Sequence, residues 1–226
     1  MKTRGEKPIE GRAKILVVDD HAMTRYGMVQ LLNQQNDLTV CGEAETAHRA
    51  LAAVEASKPD MVLVDLTMPG RSRLELIKDI HVMHPGVDVL VVSMHDESLY
   101  AERVLRLGAR GYIMKNEGGK KLLEAIRRVL QGKVYVSENI SENILNTMSG
   151  RPTTTPSALA SLTDRELEVF QCIGQGLTTR AIADQLHMSV KTVETHRLHI
   201  REKLDVKSGP ELIKYAVRWV GTQQLI

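Results

Sequence analysis

Aromatic side chains are scarce in this sequence, at 3% of residues, and only two of its 226 residues are cysteines. The first scarcity argues against a nucleic-acid partner held by base stacking on exposed rings. The second excludes a disulfide framework, and Cys41 and Cys172, far apart and outside any CxxC motif, disfavour a structural zinc site. No apolar run approaches the roughly 20 residues that span a bilayer. Residues 1–13 are polar and lack the apolar core of a signal peptide. An excess of one charge is missing as well. Thirty Lys and Arg stand against 28 Asp and Glu, a net charge of +2, so a polyanion would have to be met by a local patch. Together these absences predict a cytoplasmic protein without membrane contact. With 42% hydrophobic residues the chain can bury a core, and its length suits one large domain or two small ones.

The most informative stretch is Met61-Val62-Leu63-Val64-Asp65-Leu66-Thr67-Met68-Pro69-Gly70. A short apolar run closed by a turn signal reads as a strand buried on both faces. Its aspartate falls at the carboxyl end, where open parallel sheets place their ligand sites. Around it, apolar β-like runs alternate with helical patterns. Lys14–Val18 is a strand ending in Asp19-Asp20, followed by a helical pattern over residues 22–35. Leu38–Cys41 is a strand, residues 47–56 are helical, and Met61–Val64 is the strand above. Residues 74–83 are helical, Val87–Ser93 is a strand, residues 99–107 are helical, Gly111–Met114 is a strand ending at Lys115, and residues 120–130 form a last helix. Five such alternations predict an α/β domain with a parallel sheet covered on both faces.

After Gly132 the rhythm stops. Residues 137–149 are mildly amphipathic, and Gly150-Arg-Pro-Thr-Thr-Thr-Pro-Ser157 has linker composition. From Leu162 onward only helical patterns remain. The expected organisation is a flexible tail over 1–13, a first domain over 14–136, a linker over 137–158 and an all-α domain over 159–226.

If the strands ending in Asp19, Asp20 and Asp65 are neighbours, three carboxylates converge at one edge of the sheet. Unpaired, they would raise one another's pKa. A hard divalent cation removes the conflict, and Mg²⁺ with retained waters suits such a cluster. Ser93 adds a hydroxyl and Lys115 an ammonium, which makes the pocket suitable for a phosphoryl group. Singly, each residue is an ordinary surface acid, strand-end serine or snorkelling lysine. Five together at strand ends are a poor match to chance.

In the last domain Thr163-Asp164-Arg165-Glu166 is a capping box that opens a helix with Leu167, Val169, Phe170 and Ile173 inward. Residues 178–187 form a second helix. After a turn at Met188-Ser189, a third helix with Ser189 as N-cap runs to about Leu204. Two helices across a tight turn make a helix-turn-helix. At about 100° per residue, Val193, Ile200 and Leu204 share one face of the third helix, while Lys191, Thr195, Leu198 and Glu202 lie opposite. Between Met188 and Lys207 five Lys and Arg stand against three acids, a modest excess for a phosphate-binding face. His196 and His199 are spaced as metal ligands could be, but no third ligand accompanies them.

The motifs VVDDH (17–21), LVDLTMPG (63–70), VVSMHD (91–96) and GARGYIMK (108–115) resemble the receiver domain of bacterial two-component response regulators. The resemblance implies a flavodoxin-like five-stranded parallel sheet, with Asp65 as phosphoacceptor from a phosphohistidine on a sensor histidine kinase. It implies Mg²⁺ held by Asp19, Asp20, Asp65 and the backbone carbonyl of Thr67, with Asp19 acting largely through water. Ser93 and Lys115 would meet the phosphoryl oxygens, and Tyr112 falls at the switch aromatic. The chain departs from the family after Gly70, where Arg71-Ser72-Arg73 replaces a usual second glycine and makes the loop stiffer and more basic. LTDRELEVF (162–170) and GLTTRAIADQLHMSVKTVETHRLHIREKL (176–204) resemble the LuxR-type output domain of the NarL/FixJ subfamily. That resemblance implies four helices, the fourth over 208–220, with the third in the major groove of double-stranded DNA. Glu194, Thr195 and Leu198 match base-facing positions, and Lys191, Thr192, His196, Arg197 and Lys203 match phosphate-facing ones. A homodimer when phosphorylated is implied too. A phosphatase with an acidic Mg²⁺ site is the enzymatic rival, but it calls for an acid where Thr67 stands. An adaptor whose helical domain binds protein is the other rival, and neither accounts for both halves of the chain.

Overall fold

The computed structural model describes residues 11–66, 73–149 and 158–223. The chain divides into two compact units, residues 1–142 and 143–226.

In the first unit β1 (Ala13–Val18), β2 (Leu38–Ala44), β3 (Met61–Val64), β4 (Asp88–Ser93) and β5 (Gly111–Met114) form one parallel sheet in the order β2-β1-β3-β4-β5. Between them run α1 (Ala22–Asn33), α2 (Ala47–Ser57), α3 (Arg73–Met83) and α4 (Glu97–Arg106), and α5 (Gly119–Leu130) follows β5. Strand side chains alternate between faces. Ile15, Val17, Met61, Leu63, Leu90 and Val92 pack in one core with Met28 and Leu32 of α1 and Leu122, Ile126 and Val129 of α5. Their neighbours Leu16, Val18, Val62, Val64, Val89 and Val91 are equally buried, on the face that α2, α3 and α4 cover. The continuous apolar runs of β1, β3 and β4 are thus explained by burial on both sides. Strand order reverses between β1 and β3, and the carboxyl ends of those two strands define the crevice where sheets of this kind hold ligands.

The β5 edge is covered by the chain's own return. After α5 the backbone turns at Gly132 (φ +79°) and runs back along the strand. Tyr112 N–H donates to the Tyr135 carbonyl at 2.8 Å and Tyr135 N–H donates to the Arg110 carbonyl at 3.0 Å. Gly111 is required there, because a Cβ on it would sit 2.7 Å from the Tyr135 carbonyl oxygen. The edge is therefore closed to further strand pairing. Ser137 N–H then donates to Glu97 Oε1 at 2.8 Å, and α6 (Glu138–Met148) begins with Ile140 buried. The amphipathic first half of the stretch expected as linker, 137–158, is thus mostly helical; residues 150–157, which have linker composition, lie outside the described residues.

The second unit is helical: α7 (Asp164–Gly174), α8 (Thr179–Gln185), α9 (Val190–Lys203) and α10 (Gly209–Gln223). The capping box at Thr163 forms as the sequence predicts, with Thr163 Oγ1 accepting from Glu166 N–H and Glu166 Oε2 accepting from Thr163 N–H. Leu167, Val169, Phe170, Cys172 and Ile173 are all buried. Phe170 packs edge-on to Tyr215 at 5.6 Å between centroids and tilted against Trp219 at 5.7 Å. Gly174 lets α10 approach, since a Cβ there would lie 2.5 Å from the Ala216 carbonyl oxygen. Among the described residues no helix is long and apolar enough to cross a membrane.

Candidate phosphoryl-acceptor site and DNA-reading helix

Asp19 and Asp65 leave the sheet side by side. Val18 pairs with Val64, and Asp65 N–H donates to the Val18 carbonyl at 2.9 Å. Both carboxylates are buried, with 0% side-chain exposure. Charges so placed must be paired, and Lys115, at the end of β5, pairs both. Its Nζ donates to Asp19 Oδ2 at 2.8 Å and to Asp65 Oδ2 at 2.9 Å. Burial alone would lower the Lys115 ammonium, but the Asp65 and Asp19 carboxylates outweigh it and hold the group above its usual value. Asp20 completes the acidic set. Its Oδ1 is shielded from solvent yet accepts no hydrogen bond.

Three carboxylates against one ammonium leave two negative charges, which one divalent cation balances. The orphaned Asp20 Oδ1 and the all-oxygen carboxylate set fit Mg²⁺ chemistry. Thr67, whose carbonyl the family resemblance adds to the ligands, lies outside the described residues, as does the loop through Arg71-Ser72.

Ser93 and Tyr112 meet one strand further along. Ser93 Oγ is buried and accepts from His95 N–H at 3.1 Å. The Tyr112 ring has no exposed surface, and its hydroxyl donates to the His95 carbonyl at 2.7 Å. Burial pushes the Tyr112 phenol well above the usual tyrosine range, against the lowering effect of Ser93 hydrogen bonding. Ser93 and Tyr112 are therefore coupled through the backbone of residue 95.

Two residues near the acids escaped the pattern reading. Arg25 donates from Nη1 to the Asp19 carbonyl at 2.6 Å and from Nε to Glu43 Oε2 at 3.1 Å, bracing the loop that presents the acidic pair. His21 turns its ring into the cluster, with Nδ1 at 3.0 Å from Asp20 Oδ1. The only signal for His21 in the sequence is a ligand-type residue directly after two acids.

In the second unit the helix-turn-helix is α8 and α9, joined through His187 in the left-handed region (φ +53°). Ser189 caps α9 by accepting from Thr192 N–H at 3.0 Å. Val193 and Ile200 are fully buried and seat the helix. Lys191, Thr192, Glu194, Thr195 and Leu198 are exposed, and Arg197 is half-buried. Thr195 Oγ1 donates back to the Lys191 carbonyl at 3.0 Å, which fixes its rotamer. Two residues of the expected DNA face turn partly inward. Lys203 Nζ donates to the buried Glu166 Oε2 at 2.6 Å. His196 is half-buried with Nδ1 shielded and unpartnered, and burial lowers its pKa against the raising effect of the Glu166 carboxylate.

Residues 15–127 match the family described as response regulator receiver domain, and residues 160–216 match bacterial regulatory proteins of the luxR family. A curated relative, the oxygen regulatory protein NreC of Staphylococcus haemolyticus (strain JCSC1435), is 39% identical over 210 residues, which cover 91% of this chain and 97% of the relative. RcsB from Salmonella enterica serovar Typhimurium, solved bound to promoter rprA with the phosphomimetic BeF3-, superposes with a TM-score of 0.71 at 24% identity, covering 91% of this chain and 98% of that one. A structure of two RcsB dimers bound to two parallel DNAs superposes at 0.56 with 25% identity, covering 90% and 97%. The chain belongs to the response regulators of the NarL/FixJ subfamily, in which a receiver domain is joined to a LuxR-type DNA-binding domain. It is a response-regulator transcription factor rather than a member of an enzyme family.

Proposed function

We propose that this regulator is switched by a phosphoryl group accepted on Asp65 from the phosphohistidine of a sensor histidine kinase, and that the switch controls dimerisation and promoter binding in the cytoplasm. The observation that carries the reading is the buried pairing of Lys115 Nζ with Asp65 Oδ2 and Asp19 Oδ2 beside an unpartnered Asp20 oxygen. An Asp65 carboxylate oxygen attacks phosphorus, a P–O bond forms as the P–N bond breaks, and the bonding pair leaves with the imidazole, whose other ring nitrogen carries the proton that makes it neutral. Asp19, Asp20 and Asp65, with the Thr67 carbonyl, would hold Mg²⁺, which when bound offsets charge on the transferring group. Lys115 is already positioned to pair with a phosphoryl oxygen, and catalysis of this kind rests mainly on positioning and electrostatics. Ser93 hydrogen-bonds the new phosphoryl group, and any movement of its strand end is felt by Tyr112 through residue 95.

On the output side, α9 enters the major groove with Glu194, Thr195 and Leu198 toward base edges. Lys191, Thr192, His196, Arg197 and Lys203 lie toward phosphates. The RcsB dimers seen on DNA support a dimeric reading of the bound state here. Incubation with Mg²⁺ and a small phosphodonor tests the acceptor. The protein should gain one base-labile phosphoryl group, Asp65→Asn should gain none, and Asp20→Ala should gain it far more slowly. Labelling of Asp65→Asn at the wild-type rate would overturn the assignment.

A further inference from the structure

His21 is the N-cap residue of α1, with φ −81° and ψ 102°, and its side chain makes no capping hydrogen bond. Residues chosen for this position normally accept from an N–H of the first turn. Here the backbone is anchored instead, since His21 N–H donates to Asp19 Oδ1 at 2.8 Å. The imidazole itself lies against the acidic cluster. Its Nδ1 lies 3.0 Å from Asp20 Oδ1, 3.5 Å from Asp19 Oδ1 and 3.9 Å from Asp65 Oδ2. One ligand atom from each of the four residues falls within 4.8 Å of the others.

Four ligand atoms so close together could share one ion. For an octahedral cation with bonds of about 2.1 Å, neighbouring ligands stand about 3.0 Å apart and opposite ones about 4.2 Å. The Asp20 distance matches a neighbouring pair, and the other two fall between the two spacings. Meanwhile the nearest oxygen, Asp20 Oδ1, accepts no hydrogen bond from the ring or from any other group. A neutral imidazole offers a nitrogen lone pair, a softer donor than any carboxylate. Replacing one oxygen by nitrogen moves a site from Mg²⁺ toward first-row transition cations, whose affinity for such sets rises along the Irving–Williams order.

We infer that His21 Nδ1 is a fourth protein ligand at this site and makes it prefer a borderline transition cation to Mg²⁺. The inference rests on the proposed reading in one respect, that the carboxylates of Asp19, Asp20 and Asp65 hold a divalent ion. His21 is then the residue that sets cation identity, while the aspartates set the presence of the site.

Calorimetric titration of the full-length protein with Co²⁺ and with Mg²⁺, at one fixed pH near neutrality, tests it. The visible spectrum of bound Co²⁺ supplies a second reading, because it reports nitrogen in the coordination shell. The wild type should bind Co²⁺ more tightly than Mg²⁺. His21→Ala should weaken Co²⁺ by about tenfold or more and change its spectrum, while Mg²⁺ binding shifts far less. Asp20→Ala should weaken both, which separates this site from the chain's other histidines. An unchanged Co²⁺ affinity and spectrum in His21→Ala, or an equal loss of both cations, would overturn the inference and leave the acidic site standing. Failure of the wild type to bind either cation would remove the acidic-site reading as well.

Discussion

Lys203 Nζ and Glu166 Oε2 stand 2.6 Å apart, so the carboxylate that completes the capping box of α7 also fastens α9. Glu166 is buried and Lys203 is about one-third exposed. Burial alone would raise the Glu166 pKa, but Lys203 and Thr163 outweigh it and hold the carboxyl below its ordinary 4.5. A depressed folded-state value means that the stabilisation is present above 4.5 and is lost as pH falls through the lower folded value.

The second unit should therefore lose stability on acidification below about pH 4.5, where the unfolded chain takes up the proton more readily than the folded one. Glu166→Gln should flatten that part of the curve. At neutral pH it should cost about 1 kcal/mol through the weakened cap and the lost ion pair. Trp219, the single tryptophan, packs on Phe170 and gives a fluorescence signal specific to this unit. An acid slope in Glu166→Gln equal to the wild-type slope would assign the sensitivity to other groups.

Much of this architecture was legible because burial and chemistry coincide at strand ends. The runs before Asp19 and Asp65 are apolar on both faces, so only a central parallel strand accommodates them, and the acids had to emerge at its rim. Thr163 and Ser189 announced their helices through cap chemistry, and each makes the expected bond; the second helix starts one residue later than expected, with Thr178 as its cap. At the start of α10, Ser208 Oγ accepts from Glu211 N–H and Glu211 Oε2 accepts from Lys207 N–H. Long-range pairings were not legible. Nothing local indicates that Tyr135 closes the edge of β5 or that Arg25 braces the Asp19 carbonyl, since these depend on where distant segments return. Lys203 shows the same limit. The family resemblance places it among phosphate-facing residues, and only the tertiary fold reveals its tie to Glu166.

The charge imbalance at the acidic site predicts a stability dependence on divalent cations. With Asp19, Asp20 and Asp65 opposed by Lys115, a bound cation should stabilise the first unit by about 2.7 kcal/mol at a hundredfold excess over its Kd. Thermal unfolding with Mg²⁺ or with chelator should show the shift, and Asp20→Ala should reduce it sharply. Equal melting of the wild type in both conditions would contradict the reading of these carboxylates.

Contacts to DNA should separate into two kinds. Lys191→Ala and Arg197→Ala should weaken binding to all sequences alike and reduce the salt dependence by about one unit each. Thr195→Ala should change the preference among sequences, because base contacts specify whereas phosphate contacts position. Lys203→Ala should do less to the salt slope than Arg197→Ala, since its ammonium is already shared with Glu166. Competition binding at several salt concentrations measures all four. An unaltered ranking of sites by Thr195→Ala would remove this helix from the groove.

On the proposed reading, the division of the chain limits the routes from Asp65 to DNA. Asp65 and α9 belong to separate compact units, so the signal need not pass through a direct contact. Phosphorylated receivers that dimerise present two DNA-binding modules together. The raised effective concentration of the second module then gains affinity without any new base contact. This route predicts two half-sites separated by one or more helical turns. A receiver that also masks α9 would need to favour the closed arrangement by only a few kcal/mol, a gap that one phosphoryl group can invert. The fragment 158–226, which holds the buried cluster around Phe170, distinguishes the two. Dimerisation alone predicts that the fragment binds no better than the unphosphorylated whole protein. Masking predicts that it binds better, with no phosphodonor present. Dimerisation in addition predicts that phosphorylation steepens binding to a paired site and leaves binding to a single half-site nearly unchanged. Equal gains on paired and single half-sites would exclude dimerisation as the route and leave release of a masked helix.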